Sequence, residues 1–308
     1  MLAHEHRVHG CGGRHQGRGA RVLITDPLPA AWRFDALGTP WRIDTPEPLS
    51  PELRERIATR IARFDADWSR FREDSLVARI ARTPGHHRLP DEAGELLDLY
   101  GELYAATAGR VSPLVGSALA GLGYGPRLAG AVTAVPRWED ALAWDGEHLD
   151  TVAPLLLDVG GAGKGLLVDL VSGLLDEEGV DRHVVDGSGD LRIRDVPMRI
   201  ALEHPADAAK AVGIAELTDG ALSASASNRR AWGDGLHHVL DALTGLPTRR
   251  IRATWAIADT DLVADGAATA LFFDVDPAWL SRRGVRWARM LDNGRIERSA
   301  DFPGEVFA

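Results

Sequence analysis

Three stretches of this chain carry residue types that do chemistry at useful spacings. In the first, an apolar run ends at Asp158, and Gly160, Gly161, Gly163 and Gly165 crowd a turn that also holds Lys164. Glycines let backbone approach a ligand closely, and a helix beginning there offers N–H groups and partial positive charge. Lys164 adds a full positive charge, so the turn suits an anion, a phosphate or pyrophosphate above all. A turn built only for close packing, with a solvated lysine, would use the same residues. Two familiar phosphate loops are excluded: Gly165 follows Lys164 where a Walker loop needs Ser or Thr, and G-x-G-x-x-G is absent.

In the second stretch, Asp265 and Thr269 stand four apart and share one face if the segment is helical. A carboxylate beside a hydroxyl suits a hard, oxygen-seeking ion such as magnesium. A solvated face or a helix cap is the plainer reading of that pair alone. In the third, His237-His238-Val239-Leu240-Asp241 runs into Thr244-Gly245. A histidine there can act as general base or meet a phosphate, or can simply make a structural hydrogen bond at a strand edge.

The elements that must position these groups follow from periodicity. Leu155–Asp158 reads as a buried strand and the apolar run to Leu175 as a buried helix. Ile57, Ile61, Phe64, Trp68 and Phe71 mark a helix over Pro51–Phe71, and Leu96, Leu97, Tyr100, Leu103 and Tyr104 another over Asp91–Ala106. Both stripes read as core faces. Asp181–Arg194 reads as two strands about Gly187-Ser188-Gly189, with further strands at Met198–Glu203, Val212–Leu217 and Ile251–Ala258. Asp261–Phe273 is a helix, and Trp287–Arg298 a hairpin turning at Asp292-Asn293-Gly294. Ala36–Ile43 is a turn entering a strand, Leu222–Trp232 a small polar stretch suited to backbone near a ligand or equally to a loop, and Arg110–Val135 an irregular connection. Helices and strands mix without a βαβ period, which predicts an α+β fold.

At 308 residues the chain can bury an ample core, and its net charge of −10 argues against a nucleic-acid or anionic-membrane surface. Any phosphate site must therefore be built locally. The lone cysteine, Cys11, excludes an intrachain disulfide framework. The first residues, with His4, His6, His9 and His15 among Arg and Gly, lack a secretory h-region, and no run is long enough to span a bilayer. Order begins near Arg21–Leu23 or Ala31–Phe34, and the chain divides into residues 1–28 as a disordered tail and 29–308 as the folded domain of a soluble, cytoplasmic protein.

Taken together, LDVGGAGKGLLVD, VVDGSGDLRI, HHVLDALTGLP and ADGAATALF resemble, in order and spacing, the blocks of the ApbE family of FAD:protein FMN transferases. Leu37-Gly38-Thr39 is similar to that family's M-G-T, WSRFREDSLVARI to its W-S-x-F…S-E-x-S-R-x-N, and RVSPLVG to its F-D-P-T-V-G. The resemblance runs from Leu37 to Phe273. It implies a mixed fold of sheets flanked by helices, with an FAD and magnesium cleft between the halves. It also implies an enzyme that moves FMN from FAD to a Thr or Ser hydroxyl of a partner flavoprotein, releasing AMP. By position, Gly161 (through its carbonyl), Asp265 and Thr269 would bind the metal. Leu37, Phe71, Val111, Ser112, Asp158, Lys164 and Leu240 would contact FAD, and His238 would help deprotonate the acceptor, with Asp265 also essential to catalysis.

The chain departs from the pattern at Leu37, Leu76, Ala78, Ala81, Ser112 and Ala242-Leu243, which removes polar groups expected at the rim. Two other readings stay open on sequence: a magnesium-dependent FAD pyrophosphatase, with water as acceptor, and a non-catalytic flavin-binding protein.

Overall fold

Side-chain size alternates along the strands and sets the layering. In Ile251–Ala258, Trp255 and Ile257 enter one core while Ala256 and Ala258 enter another, and Val184 and Val185 divide the same way. The computed structural model describes residues 21–24, 28–125, 134–229, 231–232 and 235–307. The segment 126–133, within the expected connection, and the histidines and Cys11 near the start lie outside the described residues.

The large face belongs to an eight-stranded sheet packed on a second sheet. Its order is Ile296–Arg298, Arg286–Leu291, Ile251–Ala258, Gly220–Ala226, Asp190–Arg194, His183–Asp186, Thr39–Thr45 and Ala30–Ala36. Every neighbouring pair is antiparallel. The second sheet orders Arg21–Ile24, Met198–His204, Asp207–Leu217 and Gly304–Val306, and Leu191, Trp255, Ile200 and Leu202 fill the space between the two. The small-residue face takes helices Gly163–Glu177 and Asp261–Ala270, with Pro51–Trp68 and Ala93–Ala106 packed over them. Helices gathered on one side of an antiparallel sheet are the α+β arrangement the pattern predicts.

Local chemistry explains the boundaries. Ser50 caps Pro51–Trp68 by accepting from Leu53 N at 3.2 Å, and the predicted stripe of Ile57, Ile61, Phe64 and Trp68 is buried. The helix stops before Phe71, which is 57% exposed.

Three expectations are corrected. Leu155–Leu157 are buried but form no strand, and Asp158 N, which follows them, donates to Pro113 O at 2.8 Å. A continuous apolar run reports burial, not pairing. Leu222–Ala226 belongs to a central strand, where its small residues let the Asp261–Ala270 helix come close. Arg21–Ile24, at the earlier of the two expected starts of order, pairs with Met198–Ala201, in keeping with the strand preference of Val and Ile. Leu76 and Ala78 lie in the core, not on a rim, so these departures replace polar groups with packing. Among the described residues no helix is long and apolar enough to cross a membrane.

Candidate functional site

The glycine turn is held by chemistry that the sequence only half disclosed. The helix Gly163–Glu177 begins without a side-chain cap of its own. Instead, Asp265 reaches in from the Asp261–Ala270 helix, and its Oδ2 accepts from Gly165 N at 3.0 Å. Gly160 N donates to Asp158 Oδ1 at 2.8 Å and Gly161 N to the Tyr100 hydroxyl at 3.2 Å. Ala162 N and Gly163 N both donate to Val159 O. The expected open cradle of N–H groups is therefore corrected: these donors already have partners within the protein. An anion here would rest on Lys164 and on whatever cation the nearby oxygens hold.

Those oxygens converge. Thr269 Oγ1 donates to the Gly161 carbonyl oxygen at 2.9 Å, on the same helix as the buried carboxylate of Asp265. The helix is fixed at its start by Thr260, which accepts from Val263 N, and by Asp169 of the neighbouring helix. Asp169 accepts from Asp261 N at 2.9 Å and from Leu262 N at 2.8 Å. Both contact points are close, and Gly165 has no room for a side chain. A Cβ on Gly161 would stand 3.2 Å from Thr269 Oγ1, and one on Gly165 would meet the Asp261 carbonyl and stand 2.8 Å from Asp265 Cβ.

A carbonyl, a hydroxyl and a carboxylate form an all-oxygen donor set that fits a hard cation. Among the described residues no three His, Cys, Asp or Glu side chains are arranged to hold a metal, so a zinc-type centre has no support there.

Lys164 is not solvated: its Nζ lies 2.7 Å from Asp190 Oδ2 and 3.4 Å from Ser188 O. Asp158 pairs with the buried Arg70 guanidinium, which also donates to Tyr124 O at 2.7 Å and faces the Phe71 and Tyr124 rings. Phe71 meets Tyr124 edge-on, and Tyr124 stacks on Trp232 at 4.7 Å. The Leu37-Gly38 turn, with Leu37 at φ +49°, ends a hairpin beside Gly187–Gly189, because Arg42 pairs with Asp186.

A short strip ties the glycine turn to the histidine loop. Ser112 caps the 3₁₀ turn Pro113–Val115 by accepting from Leu114 N, a task an aspartate would also perform. Val111 is buried, and its N donates to Thr107 Oγ1 at 3.0 Å. Arg110 pairs with Asp241, and Ala242 N donates to Arg110 O at 3.0 Å. Leu240 packs against Ala118 and Leu119. His238 stands half-buried beside it. His237 is the structural member of the pair, with Nε2 at 2.7 Å from Thr248 O and Nδ1 accepting from Val239 N. Burial holds the His237 imidazole below its ordinary value.

Arg70, Tyr100, Asp190 and Asp261 were missed as site residues. Tyr100 sits in the apolar stripe of its helix, which hid its contact with the turn. Burial, with Asp158 and Asp265 nearby, pushes its phenol well above the ordinary range, so it stays protonated. Asp261 is fully buried and accepts from Ser223 Oγ at 2.6 Å. Burial, then Asp190 and Asp169, push its carboxyl well up. A cavity of about 350 Å³ between Pro29–Trp32, Thr45–Leu49 and Arg54 is lined by none of the candidate residues.

Comparison with known proteins bears on the family and the fold. A model of the ApbE family matches residues 37–284. The FAD:protein FMN transferase of Escherichia coli is 27% identical over 264 residues, covering 76% of this chain and 75% of that protein. That of Salmonella typhimurium is 27% identical over 278 residues, covering 82% and 78%. Among solved structures, the ApbE protein of Thermotoga maritima superposes with a TM-score of 0.75 at 24% identity, covering 88% of this chain and 97% of that one. The flavin transferase ApbE of Vibrio cholerae gives 0.75 at 23% identity, covering 92% and 98%.

Proposed function

Since the chain belongs to the ApbE family, we propose that it is a magnesium-dependent FAD:protein FMN transferase, with residues 29–308 as the transferase domain. The observation that carries the reading is the meeting of the Gly161 carbonyl, the Thr269 hydroxyl and the Asp265 helix beside Lys164. Gly161, Thr269 and Asp265 would hold the magnesium ion, which when bound would neutralise charge on the diphosphate.

Lys164 would supply the protein's own positive charge to the bridging oxygen as AMP leaves. Asp158 and Phe71, braced by Arg70, and the Leu37, Val111–Ser112 and Leu240 positions would border the flavin nucleotide. The reaction forms a bond from the acceptor Thr or Ser oxygen to the FMN phosphorus and breaks the phosphorus–oxygen bond to AMP. The electron pair leaves with AMP, and the hydroxyl proton passes to His238, the candidate base. An alcohol is a weak nucleophile at neutral pH, so most of the acceleration would come from alignment and charge stabilisation.

The test is one incubation with FAD, Mg²⁺ and an acceptor flavoprotein domain, read by intact mass and AMP. An FMN adduct on the acceptor with equimolar AMP supports the transferase. AMP with an unmodified acceptor would make water the acceptor and the protein an FAD pyrophosphatase. Bound FAD with neither product would leave only flavin binding.

A further inference from the structure

The turn Asp186-Gly187-Ser188-Gly189-Asp190 joins two central strands and meets Lys164, but it has been given no role in the proposed reaction. Its glycines and its place beside Lys164 invite the idea that it binds phosphate directly. The hydrogen bonds argue otherwise. Ser188 N and Gly189 N both donate to Asp186 Oδ1, at 2.8 and 3.2 Å, so the turn's own donors are spent. Gly187 N donates to Asp190 O at 2.8 Å. What the turn presents outward is acceptors. Ser188, at φ +68°, places its carbonyl 3.4 Å from Lys164 Nζ, and Asp190 places Oδ2 at 2.7 Å.

An ammonium has three N–H donors in tetrahedral array. An ion pair to Asp190 and a hydrogen bond to the Ser188 carbonyl, both from one turn, set its direction while it keeps some exposure toward an incoming group. Asp190 is 2% exposed and is anchored in a central strand opposite Ser223, so it cannot follow a wandering lysine. We propose that this turn is a lysine clamp: Asp190 is a positioning residue that acts through Lys164, and Asp186 is the brace that keeps the clamp's shape. The clamp serves the diphosphate of FAD and so rests on the function proposed above. Fixing one long side chain in advance removes an entropic cost at the moment of use.

The test is a double-mutant cycle of Asp190→Asn and Lys164→Ala, followed both by FMN transfer turnover and by calorimetric FAD affinity. Asparagine keeps the shape of Asp190 but loses the charge that grips the ammonium. Asp190→Asn is expected to lower turnover at least tenfold in the wild-type background and less than twofold when Lys164 is already alanine. The FAD affinity cycle is likewise expected to be non-additive by threefold or more.

Equal fractional losses in the two backgrounds, in both readouts, would overturn the clamp. Should Asp190→Asn fail to fold, Asp186→Ala enters the cycle in its place with the same expectation. Wild-type protein that binds FAD without making AMP or an adduct would defeat the functional reading instead. The affinity cycle then decides the clamp alone, and a coupling below twofold would overturn it.

Discussion

The Thr269 hydroxyl donates to the Gly161 carbonyl at 2.9 Å across 108 positions of sequence, and that contact joins a glycine turn to a carboxylate-bearing helix. One helix turn away, Asp265 accepts from Gly165 N. The same two segments are thus stitched twice, once through each residue of the i, i+4 pair. A hydroxyl, a carbonyl and a carboxylate brought together in this way make an oxygen-rich pocket out of parts that are unremarkable alone.

This double role separates two substitutions at Asp265. Asp265→Ala strands the buried Gly165 N–H, at a cost of about 1–3 kcal/mol, so it lowers stability as well as activity. Asp265→Asn keeps an acceptor for that N–H and removes the charge. It should melt close to wild type and lose FMN transfer by at least a hundredfold. A folded Asp265→Asn protein with full activity would remove Asp265 from the site.

Gly165→Ala should destabilise although it removes no ligand group. The added Cβ runs into the Asp261 carbonyl backbone and Asp265 Cβ at 2.8 Å, and neither is a flexible side-chain end. Overpacking of this kind costs about 1–3 kcal/mol or more. Urea unfolding should show the midpoint falling, whereas Gly173→Ala in the same helix, where a Cβ meets nothing within 4 Å, should not lower it.

Arg70→Met should destabilise strongly, because it leaves Asp158 without its cation beside the turn and empties a guanidinium packed on Phe71 and Tyr124. Breaking a buried pair from one side costs about 3–5 kcal/mol. Chemical denaturation of Arg70→Met against Arg70→Met/Asp158→Asn checks it: the double variant should recover part of the loss.

His183 gives a pH dependence with a definite sign. Its Nδ1 donates to Val180 O at 2.6 Å, and its Nε2 accepts from the Ser172 hydroxyl at 2.7 Å, so the ring is buried neutral. Burial lowers its value below the ordinary 6.5. Between the lowered folded value and 6.5 the unfolded chain binds more protons, so this contribution is present above 6.5 and is lost as pH falls. Asp261, whose raised carboxyl favours the fold at low pH, works in the opposite direction. Comparing wild type with His183→Gln therefore isolates the histidine. The stability lost between pH 7.5 and 5.5 should be smaller in the variant.

What the sequence disclosed, and what it hid, follow from range. Ile57, Ile61, Phe64 and Trp68 repeat at a local period, so their helix was legible, as were the Asp261–Ala270 helix and the hairpin about Gly187–Gly189. The small residues Ser223, Ala224 and Ser225 looked like loop because their smallness serves a helix far along the chain. Arg70 with Asp158, 88 positions apart, and Tyr100 with Gly161 leave no local trace. Lys164 was found as a charge, but its clamp depended on which way the next hairpin turned. Ordered blocks compensated for part of this, since they preserve long-range pairings that no single motif reveals.

The central claim is that oxygens of Gly161, Asp265 and Thr269 grip a divalent cation against the diphosphate of FAD. Calorimetric titration of FAD into the protein, with Mg²⁺ and then with chelator, tests it most directly when repeated on Thr269→Val. Mg²⁺ should tighten FAD binding at least tenfold in the wild type and less than threefold in the variant. Equal affinity with Mg²⁺ and with chelator in the wild type would contradict the account.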